Sequence, residues 1–359
     1  MRKTIDTTNL MIGYRRRSSG YNGSISRPIN VSTASGELVA LAGPNGVGKS
    51  TLLRTLAGLQ KQVDGRVYLC GKSIGDYTRR ELARVVSFVS TEIVHIPFLR
   101  VFDMAAMGRY PYTSQTGRLN IEDKFRIMDA LEQVGIHHMA WRTVDTLSDG
   151  ERQRAMIART LVQDTPVVLF DEPTAYLDLV NKYEMLALLK RLAYRQNKTI
   201  VYSTHDLSLA VHTTDKLWLM INACVYEGAP EDYQIQTTIR QAFEGTNIEY
   251  NRSTGDILPR ATMSNEIEVY TRQDARLIRS ALARLGYHCV LNPGKSHGNL
   301  PKIKYAAKKN EVQIEYSFGK QQEVFTSFYD FGQFIKTARL TPVQGEVLET
   351  ATTATANGA

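Results

Sequence analysis

The sequence predicts an α/β protein built on a largely parallel sheet, followed by a small α+β domain. Three observations predict it. An apolar run, ELVALA at 37–42, leads through a glycine-rich loop into the helical pattern STLLRTLAGLQ, which is strand, loop, helix. Apolar strands and helical stretches then alternate as far as residue 204, the order that a parallel sheet with crossover helices requires. Around 259–264 the sequence PRATMS turns polar and carries a proline, which marks a linker.

Taken in order, RVYLC at 66–70 and VVSFV at 85–89 predict further strands. Residues 121–139 predict a helix. A second helix opens at LSDGERQR, 147–154, where Ser148 followed by Glu151 fits a capping box and Ala155, Met156, Ile157 and Ala158 continue the pattern. VVLF at 167–170, a helix over 181–196 and TIVYST at 199–204 complete the alternation. LWLMINACVYEG and IEYNRSTGDILP read as hairpins. The first domain is expected over 1–260. Beyond the linker come EIEVYT, a helix at 273–286, HCVLN, KIKYAA, EVQIEYS, EVFTS and a helix at 329–339, expected as an α+β domain over 265–345. Ala275, Ile278, Leu282 and Leu285 recur at helical spacing and predict core against a sheet. Lys302, Lys304, Lys308 and Lys309 predict a solvated face, with anionic lipid or a partner subunit as the alternatives. Residues 346–359 carry no apolar periodicity and read as a loose tail.

Composition excludes more than it selects. Of 359 residues 43% are hydrophobic and 22% charged, ordinary values for a globular chain, so extensive disorder is not expected. The formal charge of +8 suits a nucleotide, an anionic membrane face or a nucleic acid equally, and no nucleic-acid partner is expected from charge alone. Cys70, Cys224 and Cys289 show no CxxC spacing, which argues against a disulfide framework or zinc site and fits a reducing compartment. The N-terminal segment has no apolar run of signal-peptide length, and no window approaches a membrane span. A cytoplasmic protein is the expectation.

GPNGVGKST at 43–51 matches G-x-x-x-x-G-K-[ST] between a strand and a helix. Glycines let consecutive N–H groups turn inward around phosphate oxygens, and the helix N-terminus adds its positive end. Gly43, Pro44, Asn45, Gly46, Val47, Gly48, Lys49, Ser50 and Thr51 are therefore the expected phosphate site. Lys49 reaches toward the β- and γ-phosphates, and Ser50 toward Mg²⁺. VVLFDE at 167–172 supplies the second half: Asp171 for Mg²⁺ and Glu172 as general base toward water. A strand ending in two acids is commonly just an exposed strand end, but its pairing with the glycine-rich loop favours chemistry. His205 follows the strand at 199–204, where a lone histidine is more often structural; its place beside the phosphate site raises the case for a γ-phosphate contact. Asp178 in AYLD suits a helix cap or a subunit boundary.

In this order the segments resemble the nucleotide-binding subunit of ABC transporters, from about Thr4 to Pro259. GPNGVGKS resembles the Walker A motif, LSDGE the ABC signature, VVLFDE Walker B, AYLD the D-loop and His205 the H-loop histidine. The resemblance implies a P-loop NTPase fold, with a RecA-like mostly parallel sheet, an antiparallel β subdomain and a helical signature subdomain. It implies ATP and Mg²⁺ as cofactors. It also implies a homodimer closing head to tail, in which Leu147, Ser148, Asp149, Gly150 and Glu151 serve ATP held by the other copy, with Ser148 and Gly150 as the contacts. Two aromatic residues, Tyr14 and Tyr21, are candidates to stack on adenine.

The chain departs from the family pattern twice. Asp149 and Glu151 replace a glycine and a glutamine of the usual LSGGQ, and both carboxylates are expected to face sideways or to cap locally. After VVSFVS, where the family has a Mg²⁺-contacting glutamine, this chain has Thr91 and Glu92, alternative occupants of that metal site. GRYPYT at 108–113 reads locally as an aromatic-rich turn between helices. It and STHDLSLA at 203–210 are similar to ATPases of iron-siderophore, haem and cobalamin importers. Their resemblance implies integral membrane permease subunits as partners, a substrate-binding protein indirectly, and a place on the cytoplasmic face of the membrane. An iron chelate or haem is the first expectation for the cargo. The alternatives are cobalamin or another metal chelate, or a non-transport ATPase acting on nucleic acid, translation or iron–sulfur assembly.

Overall fold

The computed structural model describes residues 3–15, 22–90, 96–113, 117–235, 248–250, 257–259, 265–294, 300–308 and 311–337. Thr91, Glu92, Tyr21, Lys309 and the 346–359 tail lie outside the described residues. The chain falls into two compact units that part near Pro259.

The first unit is organised by a six-stranded sheet in the spatial order Cys224–Gly228, Lys216–Ile221, Leu38–Ala42, Thr199–Thr204, Val167–Phe170, Val86–Val89. All neighbours are parallel except the edge strand Cys224–Gly228, which closes a hairpin. The three central strands are buried at every residue, which explains why they read as continuous apolar runs rather than as an alternation. Leu38, Ala40 and Ala42 point into one core, with Ala155, Ile157 and Ala158 of the helix Asp149–Gln163 and Met185, Leu188 and Leu189 of the helix Leu179–Gln196. Val39 and Leu41 point into the other, against Leu52, Leu53 and Leu56 of the helix Lys49–Leu56.

That second core is roofed by an antiparallel sheet ordered Ser32–Ala34, Lys3–Met11, Asp64–Leu69, Lys72–Ser73. KTIDTTNLM carries few apolar residues and gives little strand signal, yet Lys3–Met11 is a nine-residue strand. Ile5 and Leu10 face the core, and Thr4 Oγ1 meets Thr199 Oγ1 at 2.6 Å to tie the two sheets. The helix expected over 121–139 ends at Gln133; Gly135, at φ +78°, turns the chain into a short 3₁₀ turn, His137–Met139. The helix expected from 181 begins at Leu179, because Asp178 accepts from the Asn181 N–H and caps it there.

The second unit is a five-stranded sheet ordered Tyr287–Leu291, Asn265–Tyr270, Lys302–Lys308, Glu311–Phe318, Gln321–Phe325. The first three strands run parallel and the last two antiparallel to their neighbours. Helices Arg276–Arg284 and Phe328–Thr337 cover one face, where Ile267, Val269, Ile278, Leu282, Ile303, Ile314, Phe331 and Ile335 form a separate core. Ala275 and Leu285 pack on it as their spacing predicts. Lys302 and Lys304 alternate with Ile303 and Tyr305 and so lie on the opposite face, with Lys304 exposed.

Because Phe331 is fully buried in a core of its own, Phe331→Ala is expected to destabilise the second unit by about 3–5 kcal/mol. Calorimetry should show one transition moving down in temperature while the transition of the first unit stays in place.

Candidate functional site

Parallel pairing sets the site. Thr204 pairs with Ala42, Tyr202 with Phe170, and Phe170 with Val89, so the carboxyl ends of these strands share one edge. The segments that leave this edge are 43–51, 171–172 and 205. Glycines are required where backbone approaches backbone: a Cβ on Gly43 would stand 2.3 Å from the Met220 carbonyl oxygen. Gly48 takes φ +113° at the cap of the helix Lys49–Leu56 and turns the loop into the helix. Pro44, Asn45 and Gly46 form the exposed crest of the loop, while Val47 packs on the core beneath.

Lys49 is 5% exposed and donates to the carbonyls of Gly43 at 2.9 Å and Pro44 at 3.0 Å. Burial pulls its pKa below the ordinary lysine value, and the charges of Glu172 and Asp171 act in the opposite direction. The ammonium group thus lies curled under its own loop, desolvated and short of a contacting anion.

Asp171 is the hub opposite. Its Oδ1 accepts from Ser50 Oγ at 2.9 Å and from Ser203 Oγ at 2.7 Å. Ser203 Oγ in turn accepts from the Glu172 N–H at 2.8 Å. One hydroxyl therefore orients the acid and fixes the backbone of the residue after it, which is needed because Glu172 has φ +46°, a conformation unfavourable for a side-chain-bearing residue. Glu172 is half-buried, and its Oε1 lies 3.7 Å from Nδ1 of the exposed His205, an electrostatic neighbour outside hydrogen-bond range. Ser203 is the site residue that sequence reasoning missed. Its signal was a polar residue on the same face as Val201, in a strand ending at the site.

Tyr14 is largely exposed, and its hydroxyl reaches the buried Thr51 Oγ1 at 3.3 Å, which places its ring beside the loop-to-helix junction. Gln60 donates to the Gly13 carbonyl at 2.6 Å and fixes the short hairpin that carries Tyr14.

Residues 147–151 sit on a different element. Ser148 caps the helix Asp149–Gln163: its Oγ accepts from the Glu151 N–H, and its own N–H donates to Glu151 Oε2 at 2.8 Å. These hydrogen bonds from Ser148 hold the Glu151 carboxyl below the usual glutamate range. Asp149 pairs with Arg152 at 3.1 Å, and a second Arg152 nitrogen donates to the Leu147 carbonyl. Both unusual carboxylates are thus engaged locally. Gly150 faces Leu177 and Asn181, beside the Asp178 cap of the next helix. The structure gathers Lys49, Ser50, Asp171, Glu172, Ser203 and His205 at one edge and builds Ser148 and Gly150 into a separate helix terminus, where the Ser148 N–H is taken by Glu151 and the first-turn N–H groups of Asp149 and Gly150 have no intrahelical partner.

A profile of the ABC transporter family matches residues 26–175. An uncharacterised ABC transporter ATP-binding protein of Methanocaldococcus jannaschii is 38% identical, over 70% of this chain and 85% of that protein. The iron(3+)-hydroxamate import ATP-binding protein of Bacillus subtilis is 36% identical, over 67% of this chain and 88% of its own length. The ferric enterobactin transport ATP-binding protein of Escherichia coli is also 36% identical, over 62% and 80%. Among solved structures, a dimeric ATP-binding cassette in a post-hydrolysis state, bound to ADP and Pi, superposes with a TM-score of 0.55 at 26% identity. That match covers 63% of this chain and 98% of the other.

The cap at Ser148 carries two measurable consequences. Ser148→Ala is expected to cost about 1 kcal/mol in urea denaturation. Because the folded-state pKa of Glu151 is depressed, its stabilisation is complete above the ordinary glutamate value of about 4.3 and is lost as pH falls through the lower folded value. The stability gap between wild type and Glu151→Ala should therefore be constant near neutrality and close in acid.

Proposed function

The chain belongs to the ABC transporter ATP-binding family, and from that premise we propose that it is the ATP-hydrolysing subunit of an importer of iron chelates. It binds nucleotide as members of the family do. The observation that carries the reading is the Ser50–Asp171–Ser203 oxygen cluster facing a buried Lys49, with Glu172 held next to it.

In this reading the triphosphate enters the loop of Gly43–Thr51, whose N–H groups and helix terminus receive its oxygens. Lys49 leaves the Gly43 and Pro44 carbonyls for phosphate oxygens and so regains the anion that its burial lacks. Ser50 and Asp171 form an all-oxygen donor pair, the chemistry that suits Mg²⁺, and they would hold it. Bound there, Mg²⁺ would neutralise charge on the β- and γ-phosphates. Glu172 accepts a proton from the attacking water, and His205 stands next to it for the γ-phosphate. Tyr14 stacks on the base. The N-terminus of the helix Asp149–Gln163 in a second copy of the chain completes the site, with Ser148 and Gly150 facing the γ-phosphate. A dimeric solved relative supports that assembly.

Among the described residues no helix is long and apolar enough to cross a membrane. The relatives named as import or transport ATP-binding proteins support separate permease subunits, under which the protein works at the cytoplasmic face. The relatives named for iron(3+)-hydroxamate and ferric enterobactin support an iron chelate as cargo. The second unit lies outside the region of resemblance and is proposed as an accessory domain.

Glu172→Gln should leave ATP affinity intact, trap an ATP-bound dimer and slow hydrolysis by roughly 100-fold or more; normal turnover in that variant would remove Glu172 as the base. Lys49→Ala should instead weaken nucleotide binding about ten- to hundredfold, since it removes a charge-assisted contact. Ser148→Arg should abolish hydrolysis while nucleotide binding by the monomer persists. Copurification with an integral membrane permease tests the transport assignment, and iron-chelate uptake in cells lacking the chain tests the cargo.

A further inference from the structure

The corner at residues 108–112 exposes Tyr110 but turns Gly108, Arg109, Pro111 and Tyr112 inward. The side chains of Arg109 and Tyr112 reach the last turn of the helix Asp149–Gln163, where a helix leaves carbonyls without intrahelical partners. Tyr112 Oη donates to the Gln163 carbonyl at 3.0 Å, and Arg109 donates to the Val162 carbonyl at 3.3 Å. Gly108 packs so closely that a Cβ there would stand 2.2 Å from the Arg159 carbonyl oxygen. Arg109 is itself fixed by buried Asp123 at 2.7 Å.

The corner is gripped equally from its other side. Arg80 and Arg84 both donate to the Pro111 carbonyl, at 3.0 Å and at 2.9–3.1 Å, and Arg80 also donates to that of Thr113. The Tyr112 ring lies between two guanidinium groups, 4.9 Å from Arg84 and 4.1 Å from Arg109. Gln163 donates back to the Ala83 carbonyl at 2.7 Å. Residues 79–86 lead directly into the strand Val86–Val89, so this grip anchors the helix end to the parallel sheet.

A cavity follows the same helix along most of its length. Asp149, Arg152, Gln153, Met156 and Arg159 line this cavity of about 160 Å³, and Glu172 also lines it. A 15-residue helix is roughly 22 Å long, so a 10° tilt about its C-terminal end carries its N-terminus through roughly 4 Å. The C-terminal end is held by carbonyl bonds and by the Tyr112 ring, and the N-terminal end carries the Ser148 cap.

We propose that the 108–112 corner is a clasp that fixes the pivot of the helix Asp149–Gln163, making Tyr112 and Arg84 positioning residues for ATP hydrolysis. This rests on the reading that Ser148 at the N-terminal end serves ATP held by a second copy. The clasp touches no nucleotide; it sets where the Ser148 terminus stands when two copies close.

The test uses the purified full-length chain. Tyr112→Leu removes both the hydroxyl bond and the stacked ring, whereas Tyr112→Phe keeps the ring between the guanidinium groups. In Tyr112→Leu, kcat is expected to fall roughly three- to tenfold, with nucleotide Kd within twofold of wild type and the circular-dichroism spectrum unchanged. Tyr112→Phe should recover most of that loss. The proposal is overturned if Tyr112→Leu turns over like wild type, or if its loss of kcat is matched by loss of nucleotide affinity or of folded fraction. Ser148→Arg, measured alongside, separates the two failures. Turnover retained there removes the contact through which the clasp acts, while turnover lost there but retained in Tyr112→Leu overturns the clasp alone.

Discussion

A buried lysine without a carboxylate in contact is the constraint around which the first unit is arranged. Lys49 is held by two backbone carbonyls, and dipoles compensate a desolvated charge only in part. Glu172 and Asp171 act on it through space rather than by contact. Moving either acid closer would make a stable ion pair and close the loop to phosphate. The parallel sheet holds the acids at the end of one strand and the lysine at the start of the helix that follows another, so the ammonium group stays unpaired with either acid.

The same arrangement explains why the polar groups of the edge are bonded to one another. Ser50, Ser203 and Asp171 share hydrogen bonds across three chain segments, and Ser203 also accepts from the N–H of the strained Glu172. Such a network costs little when every member is satisfied and holds its oxygens where the proposed Mg²⁺ would sit. Strain at Glu172 persists because the strand before it is wholly buried and the N–H is bonded, leaving the backbone no relaxed alternative.

How much of this was legible depended on whether the signal was local. VVLF and TIVYST are seen as strands at their true limits because burial on both faces makes them uniformly apolar. The capping box at Ser148 is local by nature, and both of its bonds form. Asp178 was ambiguous between a cap and a boundary residue, and within one chain it caps. The helix after Ile121 was overdrawn, because apolar spacing runs on past Gly135 while the backbone there turns left-handed. Lys3–Met11 was illegible: Thr4 is buried by bonding to Thr199 of another sheet, a partner nearly two hundred residues away that no window contains. GRYPYT was visible as a pattern, but the arginines that grip it lie at 80 and 84, ahead of it in the chain, and the carbonyls it holds lie beyond 158.

The two acids at the start of the helix Asp149–Gln163 pose the sharpest electrostatic question, since a carboxylate opposes a polyphosphate at the terminus proposed to receive it. The structure answers through geometry. Glu151 spends its charge on the Ser148 N–H, one of the groups a helix start must satisfy in any case. Asp149 is paired with Arg152, whose other nitrogen holds the Leu147 carbonyl and so stiffens the turn before the cap. What remains presented outward is the helix dipole and the N–H groups that neither acid occupies. Acidic residues in the first turn also stabilise the helix itself, by a few tenths to about 1 kcal/mol each at low salt. A terminus so stabilised stays helical without phosphate, and its orientation is set by the buried face of Ala155, Ile157 and Ala158 together with the far end, where Tyr112 and Arg109 hold the carbonyls.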